Sequence, residues 1–290
     1  MTTQYHHPSD VLRFAADTEE PCALICVTDI HGGAMRAKGA LMAVRASGEV
    51  AGYVSNGCVD ADIIFQAKAA MKDGQGRRLK YGEGSPFKDI QLPCGGSIDL
   101  LVVPNPDKAM IGEAVVKFAT RQSVYLTFDD FNWEYAPKLR LRIVGRGAAV
   151  AALTSQALQS GFEVHLQSPE ADMHNDLNVT KFDHLTNPSA PPAQKDDAWS
   201  AVILMFHDHD WEVALLTQAL NSGAFYIGAM GSDRTHNLRR EDLEQAGVNS
   251  DDIARIRGPI GLIPSMRDAN LLALSTLAEI VKTAQESGRL

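Results

Sequence analysis

The chain has 290 residues and a mass of 31.4 kDa, a length that at roughly 100–200 residues per domain suggests two domains. Apolar residues make up 45% and charged residues 22%, which fits a globular chain and fits collagenous, disordered and coiled-coil classes poorly. Lys and Arg number 27 against 36 Asp and Glu, a net charge of -9, so general binding to nucleic acid or to an anionic membrane is not expected.

At the N-terminus, MTTQYHHPSDVLRF lacks a basic segment followed by a continuous apolar one, and no apolar run approaches the ~20 residues that span a bilayer. Four cysteines, Cys22, Cys26, Cys58 and Cys94, are too few for a disulfide scaffold, and none stands in a C-x-x-C pair. A cytoplasmic location is expected. Residues 22–29 form a β-compatible run, and 40–55 read as two strands around a Ser47-Gly48 turn. After Gly57, apolar residues at Val59, Ile63, Ala67, Ala70 and Met71 predict a helix that stops at Gly74 and places Cys58 at its start. A strand, RRLKYGE, then leads through a loop containing Cys94, Gly95 and Gly96 to the apolar run SIDLLVV, ended by Pro104.

A first domain is therefore expected over 1–105, a connector over 106–137 and a second domain over 138–290. The connector carries a weakly apolar helix near 107–121, the strand-like SVYLTF and the acidic aromatic stretch DDFNWEYAP. From Lys138, LRIVGRGAAVAALTSQALQSGFEVHLQSPE reads as strand, glycine turn, helix and second strand, the opening unit of a doubly wound parallel α/β fold. AVILMF at 201–206 and AFYIGAMG at 224–231 are further buried strands, with helices after each and at 268–284, and TNPSAPPAQKDD at 186–197 is a polar surface loop.

The Gly145-Arg146-Gly147 turn would bring backbone N–H groups to a phosphate at a helix N-terminus. The acidic ribose reader of a dinucleotide enzyme is missing, since the second strand ends Gln167-Ser168-Pro169 with Glu170 beyond. A second turn, with Gly228, Gly231, Ser232, Arg234 and Thr235, resembles a nest for an anion; a plain helix cap would explain it equally well. His207-Asp208-His209-Asp210 reads as a helix start capped by Asp208 or Asp210 rather than a metal cluster, and His31 and the other histidines show no metal spacing. Lys138, Arg140 and Arg142 alternate along a strand and read as one solvated face. Cys58, at a helix N-terminus, and Cys94, beside two glycines, are the thiols open to chemistry, whereas Cys22 and Cys26 read as buried and inert.

Together these segments resemble the XdhC/CoxI family of accessory proteins for xanthine dehydrogenase, carbon monoxide dehydrogenase and related molybdenum hydroxylases. GYVSNGCVDADI at 52–63 and LPCGGSIDLLVVP at 92–104 are similar to its N-terminal segments, and 225–248, GPIGL at 258–262 and ALSTLAEIV at 273–281 to its C-terminal Rossmann domain. The resemblance implies an α/β chain with a smaller mixed N-terminal domain and a Rossmann-like second domain. It further implies a chaperone, without catalytic residues or a resident metal, that binds the molybdenum cofactor (molybdopterin). Such a protein supports sulfuration with a cysteine desulfurase and delivers its cargo to an apo molybdenum hydroxylase, and a homodimer is the default assembly. Gly57, Cys58, Cys94, Gly95 and Gly96 match the N-terminal motif, and Gly228, Gly231, Ser232, Arg234 and Thr235 the C-terminal one; with Gly145 and Gly147 they form the expected cofactor-binding set. The chain departs from the family pattern at Asn56, at the Arg146 turn, at Ser168-Pro169-Glu170 and at Ile263-Pro264. An NAD(P)-linked oxidoreductase, or a nucleotide or redox sensor, is the alternative reading of the same fold.

Overall fold

A computed structural model describes residues 7–33, 36–55, 57, 59–85, 95–206 and 209–290. It divides into two compact units, Met1–Pro137 and Lys138–Leu290. Among the described residues no helix is long and apolar enough to cross a membrane.

In the first unit, β1 (Cys22–His31), β2 (Leu41–Arg45), β3 (Val50–Gly52), β4 (Arg77–Gly82) and β5 (Ser97–Pro104) form an antiparallel sheet in the order β3-β2-β1-β5-β4. The first six residues of β1, Cys22 to Val27, are apolar without interruption because both faces of the strand are covered there. Cys22, Leu24 and Cys26 point into one core and Ala23, Ile25 and Val27 into the other. Helices α1 (Pro8–Ala16) and α3 (Lys108–Ala119) supply the first core and α2 (Asp60–Asp73) the second. Residues 106–137, read from sequence as a connector, contain α3 and a hairpin of β6 (Val124–Phe128) and β7 (Phe131–Tyr135). Alternation puts Phe131, Trp133 and Tyr135 of β7 against the first core, and Tyr135 Oη lies 3.6 Å from Cys26 Sγ, so this segment is part of the first unit's packing.

The second unit holds β8 (Arg140–Gly145), α4 (Ala148–Gln159), β9 (Glu163–Ser168), β10 (Lys181–His184), β11 (Ser200–Met205), α5 (Glu212–Leu220) and β12 (Tyr226–Ala229). It continues with α6 (Asp233–Gln245), α7 (Ser250–Ile253), β13 (Ile256–Arg257) and α8 (Ala269–Glu286). All six strands run parallel in the order β10-β9-β8-β11-β12-β13, which is the Rossmann order 3-2-1-4-5-6. The α/β class and its Rossmann-like second half are as the sequence suggests.

The solvated face expected of Lys138, Arg140 and Arg142 is absent at the two arginines, because β8 lies in the middle of the sheet and is covered on both sides. Leu141 and Ile143 join the core beneath α4 and α8, while Arg142 faces α5 and is fully buried. Its guanidinium donates twice to Asp196, at 3.1 and 2.7 Å, and once each to Gln167 and Gln218. Arg140 is clamped by Glu163 at 2.9 and 2.7 Å. Asp196 is the penultimate residue of the proline-rich 186–197 segment, so this network ties that loop to the sheet.

Removing one partner of a buried pair leaves the other charge uncompensated, at a cost of about 3–5 kcal/mol. Arg142→Met should lose stability of that order in urea unfolding, and adding Asp196→Asn should recover most of it. Equal stability of the single and double variants would show that the pair is not coupled as described.

Candidate functional site

The carboxyl edge of the parallel sheet carries a cleft of about 830 Å³ in the second unit. Three helices start on it. At the first, Gly145 takes φ +155° and Gly147 φ +81°. A Cβ on Gly145 would lie 2.5 Å from the Met205 carbonyl oxygen, so the turn closes tightly on β11, and Gly147 stands at the N-cap of α4 without a side-chain cap. At the second, Ser232 caps α6 by accepting from the Thr235 N–H at 3.2 Å, with the two hydroxyls 3.0 Å apart. At the third, Asp268 caps α8 by accepting from the Asn270 and Leu271 N–H groups at 2.9 and 3.0 Å.

Phe206, Met230, Ile260 and Leu272 give this cleft apolar surface, and Arg146 and Arg267 line it with two cations. Three converging helix N-termini add partial positive charge. The combination suits an organic anion that has an apolar or planar body and a phosphate-like group. One anion is already supplied by the chain: Gly147 N–H donates to Glu170 Oε2 at 3.3 Å. Glu170 therefore sits on the N–H group that a dinucleotide-binding turn offers to pyrophosphate.

Of the residues expected at the site, Gly147, Gly231, Ser232 and Thr235 line the cleft. Gly145 and Gly228 lie in strands beneath it; a Cβ on Gly228 would come within 2.6 Å of the Tyr226 ring, which accounts for glycine there by packing. Arg234 is exposed on the first turn of α6 and does not line the cleft. In the first unit Gly57 has φ +91° with open space around it, as does Gly95 at +69°. Gly96 is crowded, since a Cβ would lie 2.6 Å from the Gly33 oxygen and 2.7 Å from the His31 oxygen where β1 and β5 meet. Cys58 and Cys94 lie outside the described residues.

Burial pushes the Cys22 and Cys26 thiols up to about 11, which makes both inert near neutrality. His207 and Asp208 lie outside the described residues, and Trp211, not Asp210, occupies the N-cap of α5 without a side-chain cap bond. Sequence spacing gives His31 no metal partners, but a bulge in β1 between Val27 and Asp29 aligns Asp29 with Asp99 of β5. The ligand atoms of Asp29, His31 and Asp99 come within 4.8 Å of one another. Lys80 stands 3.6 Å from Asp99 and supplies a counter-charge from within the sheet.

Sequence reading missed Arg239, which is almost completely buried and holds the second turn in place. Its Nη2 donates to the Met230 carbonyl at 2.7 Å, and the guanidinium grips Glu212 of α5 at 2.8 and 2.7 Å. The available signal was its spacing: Arg239 and Leu243 are the buried residues of an otherwise polar helix, four positions apart. His236, one turn earlier, accepts from Arg239 Nη1 at 3.3 Å through Nδ1 and packs on Gly258, where a Cβ would lie 2.4 Å from that nitrogen. Burial and then the positive charges of Arg239 and Arg240 hold His236 below the ordinary imidazole value, against smaller opposite effects of Asp233 and Glu212.

Comparison with known proteins gives matches along both units. The profile described as the XdhC and CoxI family matches residues 15–82, and that of the XdhC Rossmann domain matches 141–280. A protein of Escherichia coli (strain K12) described as molybdenum cofactor insertion chaperone PaoD is 35% identical over 93% of this chain and 86% of its own length. YqeB of the same organism, described as uncharacterized, is 24% identical over 92% of this chain, which spans 45% of that relative. A crystal structure from Bacillus halodurans, described as a xanthine dehydrogenase, superposes with a TM-score of 0.80 over 97% of this chain and 96% of its own at 19% identity, which shows a shared fold.

The His236 environment sets a pH dependence. The folded chain binds this proton less readily than the unfolded chain, so the contribution to stability is fully present above the unfolded value near 6.5 and is lost as pH falls toward the lower folded value. Urea unfolding at pH 7.5 and at pH 5.5 should therefore show a larger acid loss in the natural chain than in His236→Asn; the same loss in both would remove His236 as its source.

Proposed function

Because the chain belongs to the XdhC and CoxI family, we propose that it is a molybdenum cofactor insertion chaperone, which holds the cofactor and delivers it to an apo molybdenum hydroxylase of the xanthine dehydrogenase type. The observation that carries this reading is the 35% identity to an insertion chaperone along 93% of the chain, through both units. The cofactor is cargo here, and its chemistry suits the cleft. Its phosphate matches the helix N-termini with Arg146, and its pterin matches the apolar surface of Phe206, Met230 and Leu272.

A carrier must release what it binds. The cleft is open and Arg146 is exposed, so its attraction for an anion is screened by water and salt and remains reversible. Ser232 and Thr235 supply hydroxyls that can turn from each other to a phosphate oxygen, while Arg239 fixes the turn that carries them. Within this reading a cysteine desulfurase is the sulfur source, and Cys58 and Cys94 are the residues through which sulfur or molybdenum would be handled. A cytoplasmic setting fits the free, buried thiols of Cys22 and Cys26. The NAD(P) alternative is disfavoured by Glu170 on the Gly147 N–H and by Ser168 where a charged ribose reader would stand.

The test is reconstitution. Cofactor-loaded protein mixed with apo-hydroxylase should restore hydroxylase activity, and Arg146→Glu should lower pterin retention by about tenfold or more, the loss of one charge-assisted contact. Failure of the loaded natural protein to activate the enzyme would overturn the function, and full retention by Arg146→Glu would move the cargo out of this cleft.

A further inference from the structure

The three helix starts on the cleft are satisfied in different ways. Asp268 and Ser232 cap α8 and α6 locally, each accepting from an N–H group two or three residues ahead. The start of α4 has no side-chain cap of its own. Its Gly147 N–H is met instead by Glu170, 23 positions along the chain, at 3.3 Å. That is longer than the roughly 2.7–2.9 Å of a strong charge-assisted bond. Glu170 is also exposed, so its carboxylate returns to water at little cost when it leaves the N–H group.

The backbone that carries Glu170 is firmly held. Its own N–H donates to the hydroxyl of the fully buried Ser168 at 3.1 Å, and His184 Nε2 donates to the Pro169 carbonyl at 3.1 Å. The side chain is therefore the moving part: rotation about its own bonds withdraws the carboxylate while the end of β9 stays in place. The position it covers has room for a ligand. Gly147 has φ +81°, a Cβ there would meet nothing within 4 Å, and Arg146 and Phe206 line the same part of the cleft. A ligand that reaches this N–H must displace Glu170, so its apparent dissociation constant is the intrinsic one divided by the fraction of chains in which the group is uncovered. The penalty is common to all anions. A bare phosphate has little else to gain, whereas an anion with an apolar body also gains Phe206, Met230 and Leu272 and still binds.

We propose that Glu170 is an internal competitor that decides which anions occupy the cleft: it covers the start of α4 in the empty chain, yields to the anionic group of an organic ligand, and returns as that ligand leaves. Small phosphates are thereby kept out and release of the larger ligand is assisted. The inference rests on the cleft as the seat of an anionic cargo, but its test uses no cofactor. In calorimetric titration of the purified full chain with inorganic pyrophosphate, Glu170→Gln, which keeps the size and removes the charge, should bind about tenfold or more tightly than the natural chain. Glu244→Gln makes the same charge change at the far end of α6, where Glu244 is exposed, and should leave the affinity as it is. The Gly147 amide resonance should move when pyrophosphate is added to Glu170→Gln, which places the event at this N–H, and urea unfolding should show the variant folded. Equal affinity of the natural chain and Glu170→Gln, an equal gain in Glu244→Gln, a Gly147 resonance that pyrophosphate leaves in place, or no binding by either chain would each overturn the proposal. A gain at Glu170→Gln beside a failed reconstitution would uphold the competitor and remove the carrier.

Discussion

All six strands of the second sheet point the same way, and from that one constraint the site follows. A parallel strand must be followed by a crossover, and the crossovers after β8 and β12 begin with helices whose N-termini open on the same edge. The start of α8 reaches that edge too, carried there by the segment through Met266 and Arg267. Unpaired N–H groups and aligned dipoles therefore accumulate at one place before any side chain is considered. Arg146 and Arg267 add to a field that the backbone has already set, in a chain whose net charge is -9. Local backbone geometry, not overall charge, is what suits this edge to an anion.

One buried arginine, Arg239, gives that edge a defined shape, while a second, Arg142, fixes a loop elsewhere on the sheet. Arg142 ties the 186–197 segment to the centre of the sheet, and Arg239 ties the β12–α6 turn to α5. Ion pairs this deep contribute little net stability relative to apolar packing, but removing either partner is costly. Their value here is positional: each fixes a piece of irregular chain at a single place against the sheet. Glu170 plays a different part, satisfying the Gly147 N–H with a carboxylate of the chain itself.

Much of the architecture was legible because it rests on local rules. Uninterrupted apolar runs such as 201–206 mark strands covered on both faces, and glycine turns mark where they hand over to helices. What escaped detection depends on residues distant in sequence. Arg142 looks solvated until Asp196, fifty-four positions later, is brought beneath it. Strands β10 and β13, four and two residues long, are defined by pairing with their neighbours rather than by pattern. The alternation F-N-W-E-Y of β7 was visible, but its acidic neighbours gave it the look of a linker. At the site, sequence located the glycine turns without showing which members face the cleft: Gly231 and Gly147 do, whereas Gly145 and Gly228 serve packing. Arg267 stands between the loop and the helix read over 268–284, and Asp268 at that helix's start, where neither belongs to a glycine turn.

The central claim is that this chain carries the molybdenum cofactor. The direct measurement is the content of molybdenum, pterin and nicotinamide nucleotide per chain in protein purified anaerobically from cells with a working cofactor pathway and from cells without one. Near-stoichiometric pterin with molybdenum from the first, and neither from the second, is the predicted result. Bound nicotinamide nucleotide without pterin from both would contradict it.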